Sequence, residues 1–134
     1  MTYLKSAIIA TVVFLLLDGL WLGYFARNLY SEGIGHLMKP VSDGMGTYVP
    51  AMFVYATLVM GVLVFVLPKA AGSATAALGY GALFGFICYG VYDFTNLAII
   101  NSWPIWISVI DIAWGCVVCG VTSAATVIIG KMLS

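Results

Sequence analysis

The sequence predicts an all-α integral membrane four-helix bundle, with both termini on one side and a long loop between helices 1 and 2. Three observations predict it. Of the 134 residues, 63% are hydrophobic and only 7% charged, against about 25% charged in a soluble domain. The mean hydropathy is +1.12. Four segments each approach or exceed the roughly 20 apolar residues a spanning helix needs, within a length that suits one domain.

Helix 1 is expected at about residues 4–26. Its apolar run is too long for the core of a signal peptide, holds Asp18 and is followed by no small-residue cleavage site. Helix 2 is expected at about 50–67, with Pro50 in its first turn, where the missing N–H costs nothing, and Pro68 as its stop. Helix 3 is expected at about 74–98, with Ser73 as N-cap. Helix 4 is expected at about 103–130, with Ser102 as N-cap and Pro104 in the first turn. Trp103 and Trp106 read as interfacial aromatics. In the long connection, Tyr30, Ile34, Leu37 and Met38 supply an apolar face for the membrane surface, and its glycines and Pro40 break a continuous helix. Together these make residues 1–134 a single four-span domain.

Charge narrows the partners. Five acids balance five bases, so no basic field points to nucleic acid; the lipid bilayer is the expected partner. Lys5, Lys69 and Lys131 fall on the side of the termini, Arg27 and Lys39 on the other. That excess places the termini in the cytoplasm. The three cysteines lie in apolar segments and suggest no disulfide framework; Cys116-x-x-Cys119 reads as two small packing residues. Gly19-x-x-x-Gly23 and Gly81-x-x-x-Gly85 permit close helix approach or dimerisation.

Three acids inside apolar segments carry the functional argument. From the expected helix ends, Asp18, Asp93 and Asp111 lie at depths of roughly 12, 8 and 12 Å below the long-loop surface. Their neighbours are patterned. Trp21 and Trp114 follow Asp18 and Asp111 by three residues, Asn96 follows Asp93 by three, and Tyr89 precedes it by four, so each pair shares a helical face. With Tyr55 and Tyr92, these residues form the expected ligand or ion site, and Arg27, Glu32 and His36 are lid candidates from the loop. A charged Asp at a helix centre costs about 2.5–3.5 kcal/mol, which argues for function by default. The alternative is polar glue, with Asp18 clamped to Trp114 and Asp111 to Trp21. The Asp-x-x-Trp pair also suits an inverted internal repeat.

No nucleophile, phosphate-loop or dinucleotide fingerprint is present, and one histidine does not make a zinc site. No cofactor is evident; a hard divalent cation held by Asp18, Asp93 and Asp111 is compatible with the donor set. Three readings stay open. In the first, the acids bind or transport protons or a cationic small molecule caged by aromatics, in a homodimer because four helices make a thin pathway. In the second, the protein is structural and the acids hold the bundle. In the third, an enzyme acts on a lipid or isoprenoid head group. Enzymatic activity is the least favoured.

The stretches "LDGLWLGYF", "YGVYDFTNLA" and "VIDIAWG" resemble a family of small predicted bacterial membrane proteins classed as a domain of unknown function. The likeness covers nearly the whole chain. It rests on Asp18 and Trp21, on Tyr92, Asp93 and Asn96, and on Asp111, Trp114 and Gly115. It implies four spans and a bacterial inner membrane, and brings no activity. In architecture alone the chain is similar to small multidrug-resistance transporters; those use a membrane Glu, and the three aspartates depart from that pattern.

Overall fold

The structure, a computed structural model, describes residues 2–40 and 44–134. Asp43 of the long connection lies outside them. The described residues form helices and no strand: α1 (Tyr3–Phe25), α2 (Arg27–Ile34), α3 (Met45–Ala70), α4 (Ala74–Ile99) and α5 (Ile105–Met132). All but α2 are long and apolar enough to cross a membrane. The chain is an all-α membrane bundle.

Local chemistry sets the helix ends. Thr2 caps α1 by accepting the Lys5 N–H at 3.2 Å, and Ser73 caps α4 by accepting the Ala76 N–H at 3.1 Å. The last turn of α1, Trp21–Phe25, widens into a π-helix closed by Ala26 N–H on the Trp21 carbonyl. The chain then breaks at Ala26 and starts the short α2, followed by a 3₁₀ turn at Gly35–Leu37.

Three expectations need correction. Helix 2 starts at Met45, not Pro50. Pro50 sits in its second turn and leaves the Gly46 carbonyl without its usual donor; the Lys39 ammonium donates to that carbonyl at 3.3 Å. Pro68 does not stop this helix. A widened turn at Val62–Val66 precedes the ring, and the helix runs on to Ala70. Ser102 is not the cap of α5: its φ is +64°, and Pro104 occupies the cap position.

The helix α5 is the hub. In its most apolar window 44% of residues are buried, against 22% in each of the other three spans. It runs antiparallel to α4 at a spacing that only small residues allow. A Cβ on Gly85 would meet the Gly115 carbonyl oxygen at 2.0 Å, and one on Gly81 would meet the Cys119 carbonyl oxygen at 2.7 Å. The expected close approach of Gly81 and Gly85 is therefore made between α4 and α5. A Cβ on Gly19 or Gly23 would meet nothing within 4 Å among the described residues. Phe14, Leu58, Val118 and Cys119 fill the middle of the bundle, with Cys119 as a packing residue. Outward faces are apolar: Leu16, Phe65, Val91 and Val109 are all exposed, as lipid-facing positions should be.

Both termini lie at one end. Tyr3 and Ser6 of α1, Leu67 and Pro68 of α3, and Lys131 and Ser134 line one cavity of about 450 Å³ there. Lys131 donates to the Gly72 carbonyl in the α3–α4 turn. At the opposite end α2 lies against the start of α5. Gly33 packs so tightly on Ile107 that a Cβ would come within 2.4 Å of it.

Candidate functional site

The aspartates of α1, α4 and α5 all face the bundle interior, near the end where α2 docks. Asp93 is fully buried, Asp18 is 7% exposed and Asp111 is partly buried. Their hydrogen-bond environments differ.

Asp18 is satisfied on both oxygens. The Tyr55 hydroxyl of α3 donates to Oδ2 at 2.5 Å, and the Trp114 indole N–H of α5 donates to Oδ1 at 3.0 Å. One carboxyl thus ties three spanning helices together. The expected clamp of Asp18 on Trp114 is formed.

Its counterpart is formed only indirectly. The Trp21 indole N–H donates to the Tyr30 hydroxyl at 3.1 Å, and that hydroxyl donates to Asp111 Oδ1 at 2.8 Å. Tyr30 belongs to α2, so this chain of bonds docks the short helix onto the bundle. Burial, above all, pushes the Tyr30 hydroxyl well above the ordinary tyrosine pKa, and the neighbouring Asp111 adds to the shift. It therefore remains a donor. The two half-sites are alike: each aspartate accepts from a tyrosine and is linked to the tryptophan of the other helix. The two indoles stack face to face at the join, with centroids 4.6 Å apart and planes 7° apart.

Asp93 is different. Its Oδ1 accepts the Ser108 hydroxyl at 3.3 Å, and Ser108 accepts the Trp103 indole N–H at 2.9 Å. Its Oδ2 is buried and has no hydrogen-bond partner. An unsatisfied buried oxygen on an ionisable group calls for an explanation. The helix register supplies a neighbour. Tyr89 of α4 packs on Gly115 of α5, whose Cβ would meet that ring at 2.3 Å. One turn further along each antiparallel helix stand Asp93 and Asp111, and their carboxyls lie within interaction range.

The other expected residues divide. Tyr89 lies within electrostatic range of Asp18 and Asp111, and Tyr92 of Asp93, Asp111 and the Asn96 amide. Asn96 is buried. Arg27, Glu32 and His36 are exposed, so the residues that seat α2 are Tyr30 and Gly33 rather than these three. Among the described residues no three His, Cys, Asp or Glu side chains gather as a metal site would require. Asp18 is turned to Tyr55 and Trp114, and does not complete a cluster with Asp93 and Asp111. Tyr30, Ser108 and Trp103 were not among the expected site residues. In the sequence Tyr30 reads, with Ile34, Leu37 and Met38, as part of an apolar face for the membrane surface rather than as a donor to an acid of the bundle. Trp103 reads as interfacial until its bond to Ser108 is seen.

The fold and this network define a small multi-span membrane protein with paired carboxylate–aromatic half-sites inside its helix bundle. Residues 3–128 match a family described as predicted membrane protein (DUF2177). The chain belongs to that family, whose function is unknown. Comparison with curated proteins and with solved structures gave no match.

Proposed function

We propose that the pair Asp93 and Asp111 is an intramembrane binding site for a proton or small cation, and that the protein's activity turns on occupying and emptying it. One observation carries this reading. The most deeply buried acid among the described residues, Asp93, leaves an oxygen without a partner among them, beside a second carboxyl. Burying such a pair is costly and brings no evident return in packing. In the same reading the bundle sits in a bacterial inner membrane with cytoplasmic termini, as the lysines at 5, 69 and 131 suggest. The site then lies in the outer half, with α2 over it.

A second reading is favoured for Asp18 alone. Its two accepted bonds from two helices are what polar glue looks like. The glue and the binding site are separate parts of one network.

The test is proton and cation movement in proteoliposomes carrying an internal pH dye. Wild type is expected to pass protons, or to exchange them for an added cation, and Asp93→Asn and Asp111→Asn to abolish this. Equal dye responses in wild type and both variants would sink the reading.

A further inference from the structure

We infer that the ligand of this site is a single proton held between Asp93 Oδ2 and the Asp111 carboxyl, and that Tyr30 couples its presence to the docking of α2. The inference rests on the proposed binding role and names its ligand.

Geometry selects a proton over other cations. A calcium ion takes six to eight oxygens and magnesium six in strict octahedral array. Here two carboxyls lie within interaction range, no third acid joins them among the described residues, and Ser108 already donates to Asp93 Oδ1. An organic cation needs open aromatic faces, but Trp21 and Trp114 cover each other. The cavity of about 450 Å³ lies at the opposite end of the bundle. A proton needs no volume and one acceptor pair, which is what remains.

Among the described residues no base faces the pair. The titratable groups facing the pair are Tyr89 and Tyr92 on α4, Asp111 on α5 and Tyr30 on α2; Asp18 on α1 is turned to Tyr55 and Trp114. Arg27 and Lys39 are exposed. With no base among the described residues beside them, two ionised carboxyls within interaction range repel, and one proton taken from water leaves the pair with a single shared charge. Asp111 Oδ1 then still accepts from Tyr30, and α2 stays docked. Removing the proton adds a second charge in the bundle, and water must enter to solvate it. In this inference that water enters past Tyr30, which bridges Trp21 and Asp111 from α2.

Infrared spectroscopy of the reconstituted full chain tests this directly. Wild type is expected to show a protonated-carboxyl C=O stretch at neutral pH that shifts in D₂O. The band should vanish in Asp93→Asn and equally in Asp111→Asn, because the two share it, and persist in Asp18→Asn. Should a variant fail to fold, Ser108→Ala serves instead: it removes the donor to Asp93 Oδ1 and should move the band. Tyr30→Phe should increase hydrogen exchange along α2 and lower the pH at which the band is lost. A wild type without the band, a band that survives both Asn variants, or one indifferent to Ser108→Ala overturns the inference. Loss of the band with no proton movement in liposomes would instead overturn the functional reading. Proton movement without the band would overturn only the shared proton.

Discussion

The indoles of Trp21 and Trp114 lie face to face, with centroids 4.6 Å apart and planes 7° apart, and each donates its N–H into a different half of the carboxylate network. The stack joins α1 to α5, and the hydrogen bonds fix the orientation of each ring. Replacing Trp114 by Phe keeps an aromatic surface but removes the donor to Asp18. It should lower stability by about 1 kcal/mol, within the range found for hydrogen bonds between membrane helices. A double-mutant cycle of Trp21→Leu and Trp114→Leu, which removes the aromatic faces, read from denaturation in mixed detergent, should give a coupling of about 0.5–1.5 kcal/mol. Strict additivity would mean that the stack contributes nothing.

Gly85 and Gly19 both begin or end a Gly-x-x-x-Gly spacing, yet they predict opposite outcomes. A Cβ on Gly85 would strike the Gly115 carbonyl, which is backbone and cannot turn aside. Gly85→Ala should destabilise by at least 1–3 kcal/mol, roughly the cost of overpacking a core. Gly19→Ala meets nothing within 4 Å and should be neutral or slightly stabilising, since alanine is the better helix former. Melting of the two variants side by side checks this.

Tyr30→Phe should cost the docking of α2, and the cost should depend on pH in one direction. Burial raises the hydroxyl's pKa above that of the unfolded chain, so the folded state holds this proton more tightly. The stabilisation is therefore fully present below about pH 10, the ordinary tyrosine value, and is lost only as pH rises through the elevated one. The hydroxyl's own ionisation should therefore leave the difference in melting temperature between wild type and Tyr30→Phe unchanged from neutral pH to about pH 10. A difference that shrinks within that range would report loss of the proton on the Asp93–Asp111 pair, to which Tyr30 is coupled through Asp111; no difference at any pH would show that Tyr30 is not the docking bond.

Gly33→Leu tests the same helix by packing. A side chain there must displace Ile107 and Trp106 or lift α2. Hydrogen exchange in Arg27–Ile34 should rise while the spanning helices stay protected. Unchanged exchange would place the seat of α2 elsewhere.

The spans were legible because their signals are long. A run of apolar residues near 20 long survives errors of several residues at its ends, and Ser73 caps α4 as read. The proline boundaries were not legible. Pro50 and Pro68 mark where helices usually begin or end, but a lysine from the preceding loop and a widened turn absorb the cost here. The inward placing of Asp18, Asp93 and Asp111 was legible from their position inside apolar spans; which atom each acid would meet was not, because that depends on helix rotation. Asp18 to Trp114 came out as a direct bond. Asp111 to Trp21 did not, because Tyr30 inserts from a segment whose apolar face reads as lying on the membrane surface, not as reaching into the bundle.

The central claim is that Asp18 holds the bundle together while Asp93 and Asp111 are kept for a ligand. Thermal stability in detergent of Asp18→Asn, Asp93→Asn and Asp111→Asn, at several pH values, tests it most directly. Asp18→Asn puts an amide N–H₂ against one of two donors and should melt below wild type. In Asp93→Asn an amide nitrogen at the unpartnered oxygen can donate to Asp111, and in Asp111→Asn the reverse holds. Both should melt at or above wild type, as expected where stability has been given up for function. If Asp93→Asn and Asp111→Asn melt as low as Asp18→Asn, all three acids are structural and the account is wrong.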